Sequence, residues 1–396
     1  MKAYVLRDNG RFGIEEVEQP VPGQGEVIVQ VKAAGICGSD ISRIYYHGAY
    51  SYPLIPGHEY SGIVVGAGDD AATSDDARVR TDSCKANEGL SSGQAASWIG
   101  KRVGIFPLIP CGKCLPCRQK KYEMCRHYSY LGSRRDGGFA EYVSVPVWNL
   151  VELPEKVTFE QAAMLEPMAV AAHAMRRALQ ENTAHGAGTE NHTRIAICGL
   201  GTIGLFLLMF LKEAGYEDIL TIGNKDVQRE KALALGVSEG QFYDRRNGGA
   251  DAWLEECTQE RAIDVFFECV GSNETIDLAV NYAAPGGRVM LVGNPASDMV
   301  LGRQTYWKIL RNQLTLFGTW NSSYQGTFGI KSATHRTAVS SQADDDWQYV
   351  LKRLADGRVH PEQMVTHRYD FDEFHRGFEL MRDKTEEYLK VMMELP

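Results

Sequence analysis

Gly199, Gly201 and Gly204 fall within six residues. They directly follow the short apolar run 193–198 and lead into the apolar run 203–214. A strand that turns sharply into a helix has this pattern. Glycine at 199 permits the tight turn, glycine at 201 lets a pyrophosphate approach the backbone, and glycine at 204 lets helix pack on strand. The helix N-terminus then faces phosphate charge, so Gly199, Gly201, Thr202, Ile203 and Gly204 are the expected dinucleotide contacts.

The surroundings support that reading. Runs 219–223, 265–270 and 287–293 read as further strands, 273–284 as a helix between them, and 159–179 as one Ala- and Met-rich helix. Strands alternating with helices predict a parallel, doubly wound α/β sheet. The first part of the chain is different. Segments 26–32, 59–65 and 101–106 alternate apolar and polar residues as half-buried strands do. Between the last two, residues 69–98 are rich in Asp, Ser, Ala and Gly and read as a solvated insertion. Residues 345–396 read as helices and short strands able to complete either part. At 396 residues the chain has room for two domains.

Two cysteine-bearing sets stand in the strand-rich part. Cys111, Cys114, Cys117 and Cys125 place four sulfurs in fifteen residues, the spacing of a closed tetrahedral thiolate site; closed sites are structural. An iron–sulfur cluster uses the same ligands and stays open as an alternative. No basic partner helix accompanies the cluster, which argues against a nucleic-acid finger. Cys37 and His58 form a poorer set, completed by one of two carboxylates, Glu59 or Glu166. A zinc site that is not closed can do chemistry. Ser39, two residues from the cysteine, is placed to carry a proton toward solvent.

Net charge is -9, and no basic stripe suggests a nucleic-acid or membrane-surface partner. No apolar run reaches the ~18 residues of a membrane span. The N-terminus lacks a secretory core. Five of nine cysteines are expected metal ligands, which implies a reducing, cytoplasmic location; Cys84, Cys198, Cys257 and Cys269 are left as buried or incidental thiols. At the end of the second strand, where an acid would bond the ribose 2′-hydroxyl, the chain has Gly223-Asn224-Lys225 with Arg229 nearby. NADP is therefore favoured over NAD, with Asp226 in a shifted register as the competing reading.

Gly35-Ile-Cys37-Gly-Ser-Asp40, Gly57-His-Glu59, the four-cysteine lobe, Asp136-Gly-Gly-Phe-Ala-Glu-Tyr142 and Glu166-Pro resemble, in this order, the zinc-containing medium-chain alcohol and polyol dehydrogenases. Segments 130–142, 41–44 and 317–321 look most like family members acting on sugar-alcohol phosphates. The resemblance implies a GroES-like catalytic domain from 1–166 and 317–396, with a Rossmann domain at 167–316. It implies two Zn2+ per chain. Cys37, His58 and Glu166 would ligate the catalytic ion, with Glu59 as a further ligand or close partner. It also implies a homodimer or homotetramer. Two features depart from the family: the 69–98 insertion, and Gly223 where polyol dehydrogenases usually carry Asp. A phosphorylated substrate needs cations, and Arg43, Arg134 and Arg135 are the candidates, each weighed against a structural ion pair. A free polyol, another secondary alcohol such as L-threonine, and a non-catalytic nucleotide sensor remain as alternatives.

Overall fold

A computed structural model describes residues 1–68, 95–179, 193–327 and 344–395. Residue contacts divide the chain into Met1–Glu166 with Ser322–Pro396, and Pro167–Asn321.

The first unit contains strands β1 (Lys2–Asp8), β2 (Arg11–Glu16), β3 (Glu26–Gly35), β4 (Glu59–Ala67), β5 (Arg102–Ile105), β6 (Leu108–Ile109), β7 (Ser129–Tyr130), β8 (Tyr142–Pro146) and β9 (Leu150–Glu152). Short helices α1 (Gly38–Ser42), α2 (Leu115–Arg118) and α3 (Phe159–Ala163) join them. The expected long helix at 159–179 is two: α3 ends at Met164, which leaves helical geometry, and α4 (Leu165–Leu179) starts afresh. A continuous apolar pattern hides a one-residue break, because Ala162, Ala163, Met164 and Leu165 are all buried across it.

The second unit holds β10 (Ile195–Cys198), α5 (Thr202–Glu213), β11 (Ile219–Gly223), α6 (Asp226–Ala234), β12 (Phe242–Asp244), α7 (Asp251–Thr258), β13 (Ile263–Glu268), α8 (Asn273–Tyr282), β14 (Ala283–Leu291), α9 (Arg303–Arg311) and β15 (Thr315–Gly318). Its six strands are all parallel, in the order β12-β11-β10-β13-β14-β15. This is a doubly wound sheet that reverses between β10 and β13, where such folds bind ligands. β15 carries the sheet through Gly318, past the boundary at 316/317 read from sequence.

The end of the chain, α10 (Asp346–Ala355), β16 (Val365–Asp370), α11 (His375–Asp383) and β17 (Lys390–Glu394), belongs to the first unit. β17 pairs antiparallel with β3, in a seven-stranded sheet ordered β16-β17-β3-β4-β5-β9, with β8 also on β3. Phe374 and Phe378 of this segment pack against Tyr4 and Phe139. Residues 69–94 of the expected insertion lie outside the described residues. Its end is not solvated: Ala95 and Trp98 are buried in the same core. Among the described residues no helix is long and apolar enough to cross a membrane.

Candidate metal and cofactor sites

Cys37 stands at the N-cap of α1, just past the end of β3, and His58 and Glu59 sit where β4 begins. Gly35 and Glu59 are register partners, so the two strand ends bring these side chains together. The ligand atoms of Cys37, His58 and Glu59 lie within 4.8 Å of one another. A tetrahedral ion with bonds of about 2.0–2.3 Å keeps its ligand atoms roughly 3.3–3.8 Å apart, so this thiol, imidazole and carboxylate set fits zinc.

The surroundings hold the set in place. Asp40, fully buried, accepts from the Cys37 backbone N–H at 3.1 Å and from Arg43 at 3.0 Å. Its Oδ1 also lies 3.3 Å from His58 Nδ1, an ion-pair distance without the angle of a hydrogen bond. Burial opposes the charged imidazole, but Asp40 and Cys37 outweigh it and hold His58 well above its ordinary pKa. Glu59 is in contact with Lys390 of β17, whose ammonium also donates to Ile36 O at 3.1 Å. Both side chains are almost completely buried. Burial pulls Lys390 down to about 8, against the opposing pull of Cys37 and Asp40. The pair meets over Gly35, where a Cβ would lie 2.6 Å from both Glu59 Oε2 and Lys390 Cε.

Glu166, an expected ligand, lies outside the three-residue set. It is buried at the start of α4, and its Oε1 accepts from Tyr130 Oη at 3.1 Å. Burial raises its pKa, against the charge of His58 and the Tyr130 hydrogen bond. Ser39 is exposed in α1, beside Cys37.

The glycine motif after Tyr130 has a mechanical role. Gly137, Gly138 and Phe139 donate to the carbonyls of Ile55, Gly57 and Pro56 at 2.7, 2.8 and 3.0 Å, and Asp136 accepts from Ile55 N–H at 2.9 Å. A Cβ on Gly132 or Gly137 would come within 2.4 or 2.0 Å of Gly57 O. The segment clamps 55–57 by backbone contact and thereby fixes where His58 begins.

In the second set, the Sγ atoms of Cys111, Cys114, Cys117 and Cys125 also lie within 4.8 Å of one another. Individual separations are 3.4 Å for Cys114–Cys117, 3.9 Å for Cys114–Cys125 and 4.0 Å for Cys111–Cys117, and all four thiols are free. These distances are far beyond a disulfide bond and suit four sulfurs around one zinc.

The three arginines proposed for a substrate phosphate all have partners. Arg43 pairs with buried Asp40, behind His58. Arg135 pairs with Glu26 at 2.9 Å, not with adjacent Asp136. Arg134 stacks on Tyr50 and Tyr128 and donates to Tyr128 O. Arg134 and Arg135 do share the wall of one cleft of about 470 Å³ with Arg7 and Ser144.

In the second unit, Gly199 has φ +98°, Gly201 caps α5, and a Cβ on Gly204 would lie 2.0 Å from Gly199 O. Glu268, which has no motif signal, ends β13 next to this turn. Its buried carboxylate accepts from Val270 N–H, Gly271 N–H and Thr275 Oγ1, each at 2.8 Å. Gly223 ends β11 and Lys225 caps α6. Asp226, the competing ribose candidate, is the first residue of α6, three residues after Gly223, and pairs with Arg246. Arg229 pairs with Glu239.

Residues 23–155 match the family described as alcohol dehydrogenase GroES-like domain, and residues 202–334 that described as zinc-binding dehydrogenase. Galactitol 1-phosphate 5-dehydrogenase of Escherichia coli K12 is 31% identical over 376 residues, 94% of each chain. The crystal structure of galactitol-1-phosphate dehydrogenase from Escherichia coli is similar with a TM-score of 0.78 and 29% identity over 100% of both chains. An E. coli CFT073 protein described as a short chain alcohol dehydrogenase, solved with NADH, reaches 0.78 at 26% identity, over 100% of this chain and 99% of that one.

Proposed function

We propose, for a chain that belongs to the zinc-binding alcohol dehydrogenase family, that it oxidises a secondary hydroxyl of a polyol phosphate of the galactitol 1-phosphate type and passes the hydride to NADP. The observation that carries the chemistry is the convergence of half-buried Cys37 with buried His58 and Glu59 in one set. In this reading those three hold the catalytic zinc, Glu166 is the remaining acidic ligand, and Cys111, Cys114, Cys117 and Cys125 hold a structural zinc. Zinc supplies a Lewis acid that makes a bound hydroxyl acidic, and the nicotinamide supplies the hydride acceptor.

The chain's own residues then orient and relay. Asp40 keeps His58 aimed at the set, Lys390 balances Glu59, and exposed Ser39 takes the proton outward. Gly199, Gly201, Thr202, Ile203 and Gly204 receive the pyrophosphate, and Glu268 stiffens the neighbouring loop. Asn224, Lys225 and Arg229 are the groups offered to a 2′-phosphate. Arg134 and Arg135 are the phosphate contacts we favour for substrate, because guanidinium groups pair with phosphate oxygens; the cleft they line contains none of Cys37, His58, Glu59 or Glu166.

One observation favours a free polyol instead: Arg43, Arg134 and Arg135 are each already engaged. Comparing kcat/KM for galactitol 1-phosphate, galactitol, sorbitol and L-threonine with both cofactors decides between them. The phosphate ester should lead; equal rates with and without phosphate favour the free polyol. Dinucleotide binding with no turnover on any of them favours a sensor.

A further inference from the structure

The turn after β11 is built around Gln228, in the first turn of α6. Gln228 is buried, and its Oε1 accepts from the Asn224 backbone N–H at 2.8 Å. The same oxygen lies 2.9 Å from the point where a Cβ on Gly223 would stand, and two ring carbons of Phe242 lie 3.2 Å from that point. Phe242 is fixed by β12, whose register sets it against Thr221, two residues before Gly223. A Cβ at 223 would therefore displace the end of the Gln228 side chain and crowd the Phe242 ring. Gly223 is not among the glycines with positive φ, so side-chain space, not backbone conformation, limits this position.

We infer that Gln228 is a positioning residue that sets cofactor selection. It occupies the space beside 223 and ties down the Gly223-Asn224-Lys225 turn, so a ribose-binding carboxylate at 223 must break the Gln228 hold on the Asn224 amide to be seated. The inference rests on the dinucleotide-binding reading above. An acid at this strand end accepts the ribose 2′-hydroxyl and repels a 2′-phosphate. Here glycine and glutamine form one matched unit. A carboxylate brought to 223 would face the Gln228 carbonyl oxygen, two acceptors with no proton between them, and would press on a buried ring. The Asn224 amide is likewise engaged by Gln228, which presets the turn before nucleotide arrives.

The test is a double-mutant cycle on the full chain: Gly223→Asp, Gln228→Ala and the double variant. NADH and NADPH dissociation constants are read by calorimetry, and the melting temperature of each protein is measured without nucleotide. Gly223→Asp alone should lower the melting temperature and gain no NADH affinity. Gln228→Ala alone should weaken NADPH severalfold by loosening the turn. The double variant should recover melting temperature relative to Gly223→Asp and bind NADH about tenfold tighter than it, the effect of one added hydrogen bond. A Gly223→Asp protein that accumulates only when Gln228→Ala is also present supports the same coupling. Should neither accumulate, Gly223→Ala with and without Gln228→Ala carries the test on melting temperature and NADPH affinity. Additive effects, or an equal NADH gain with Gln228 in place, overturn the inference. Wild-type protein that binds neither dinucleotide overturns the oxidoreductase reading together with it, whereas additivity in a protein that binds one or both overturns this inference alone.

Discussion

Lys390 and Glu59 are 331 positions apart in sequence, yet they form the buried contact on which the metal set leans. Pairing of β17 with β3, and of β3 with β4, makes the contact, and Gly35 leaves room for it. Losing the cation of a buried pair costs about 3–5 kcal/mol, so Lys390→Met should unfold at markedly lower urea than wild type when metal is removed. Zinc should shrink that difference, because the ion then supplies the charge that Glu59 has lost. An equal difference with and without zinc would mean that Glu59 does not face the ion. Lys390→Arg should recover most of the stability. For substrate, Arg135→Ala should raise KM for a polyol phosphate about ten- to a hundredfold, the value of a charge-assisted bond, and leave a free polyol nearly unchanged. Equal losses on both would assign Arg135 to its Glu26 pair alone. Cys37, His58 and the four-cysteine lobe were legible in the sequence because each set lies in short motifs whose chemistry is unusual. Lys390, Gln228 and Glu268 were not, because a lysine, a glutamine and a glutamate acquire meaning only from the strand register or helix turn that aims them.

Among the elements, the two cysteine-bearing segments differ in what they support. The 111–125 lobe has only the four-residue α2, a 3-10 turn at Tyr122–Met124 and a sulfur cluster in place of an apolar core. A closed zinc contributes folding energy directly in such a segment. Cys114→Ser should therefore lower the melting temperature or the soluble yield, while Cys37→Ala should abolish turnover with the fold retained. The reverse pattern would show that the two sites have exchanged roles. Because thiolates must be deprotonated to bind, chelator should strip both sites faster as pH falls, with the loss read by a colorimetric zinc indicator. Apolar alternation or short apolar runs place seven of the seventeen strands among the described residues, β3, β4, β5, β10, β11, β13 and β14, to within a few residues. The break at Met164 is invisible because it does not interrupt the apolar pattern, whereas the early start of β14 at Ala283 is hidden by Pro285-Gly286-Gly287, which carries a turn signal. The glycines of 132–138 were recognised as a motif, but their job as a backbone clamp on 55–57 appears only in three dimensions.

For the whole molecule, the alternation of strands and helices was enough to give the parallel sheet of the second unit. Contacts group residues 322–396 with the first unit, where β17 pairs with β3 more than 300 residues earlier, a separation that no local sequence pattern encodes. Family membership leads us to expect a homodimer or homotetramer, which sedimentation equilibrium would check. The central claim is that one chain carries a structural zinc and a separate catalytic zinc. Elemental analysis of purified wild type and Cys37→Ala, with turnover measured on the same samples, tests it most directly. The account predicts two zinc ions per wild-type chain, one per Cys37→Ala chain, and loss of turnover with the missing ion. One zinc per wild-type chain, or a Cys37→Ala protein that keeps both its second zinc and its turnover, would contradict it.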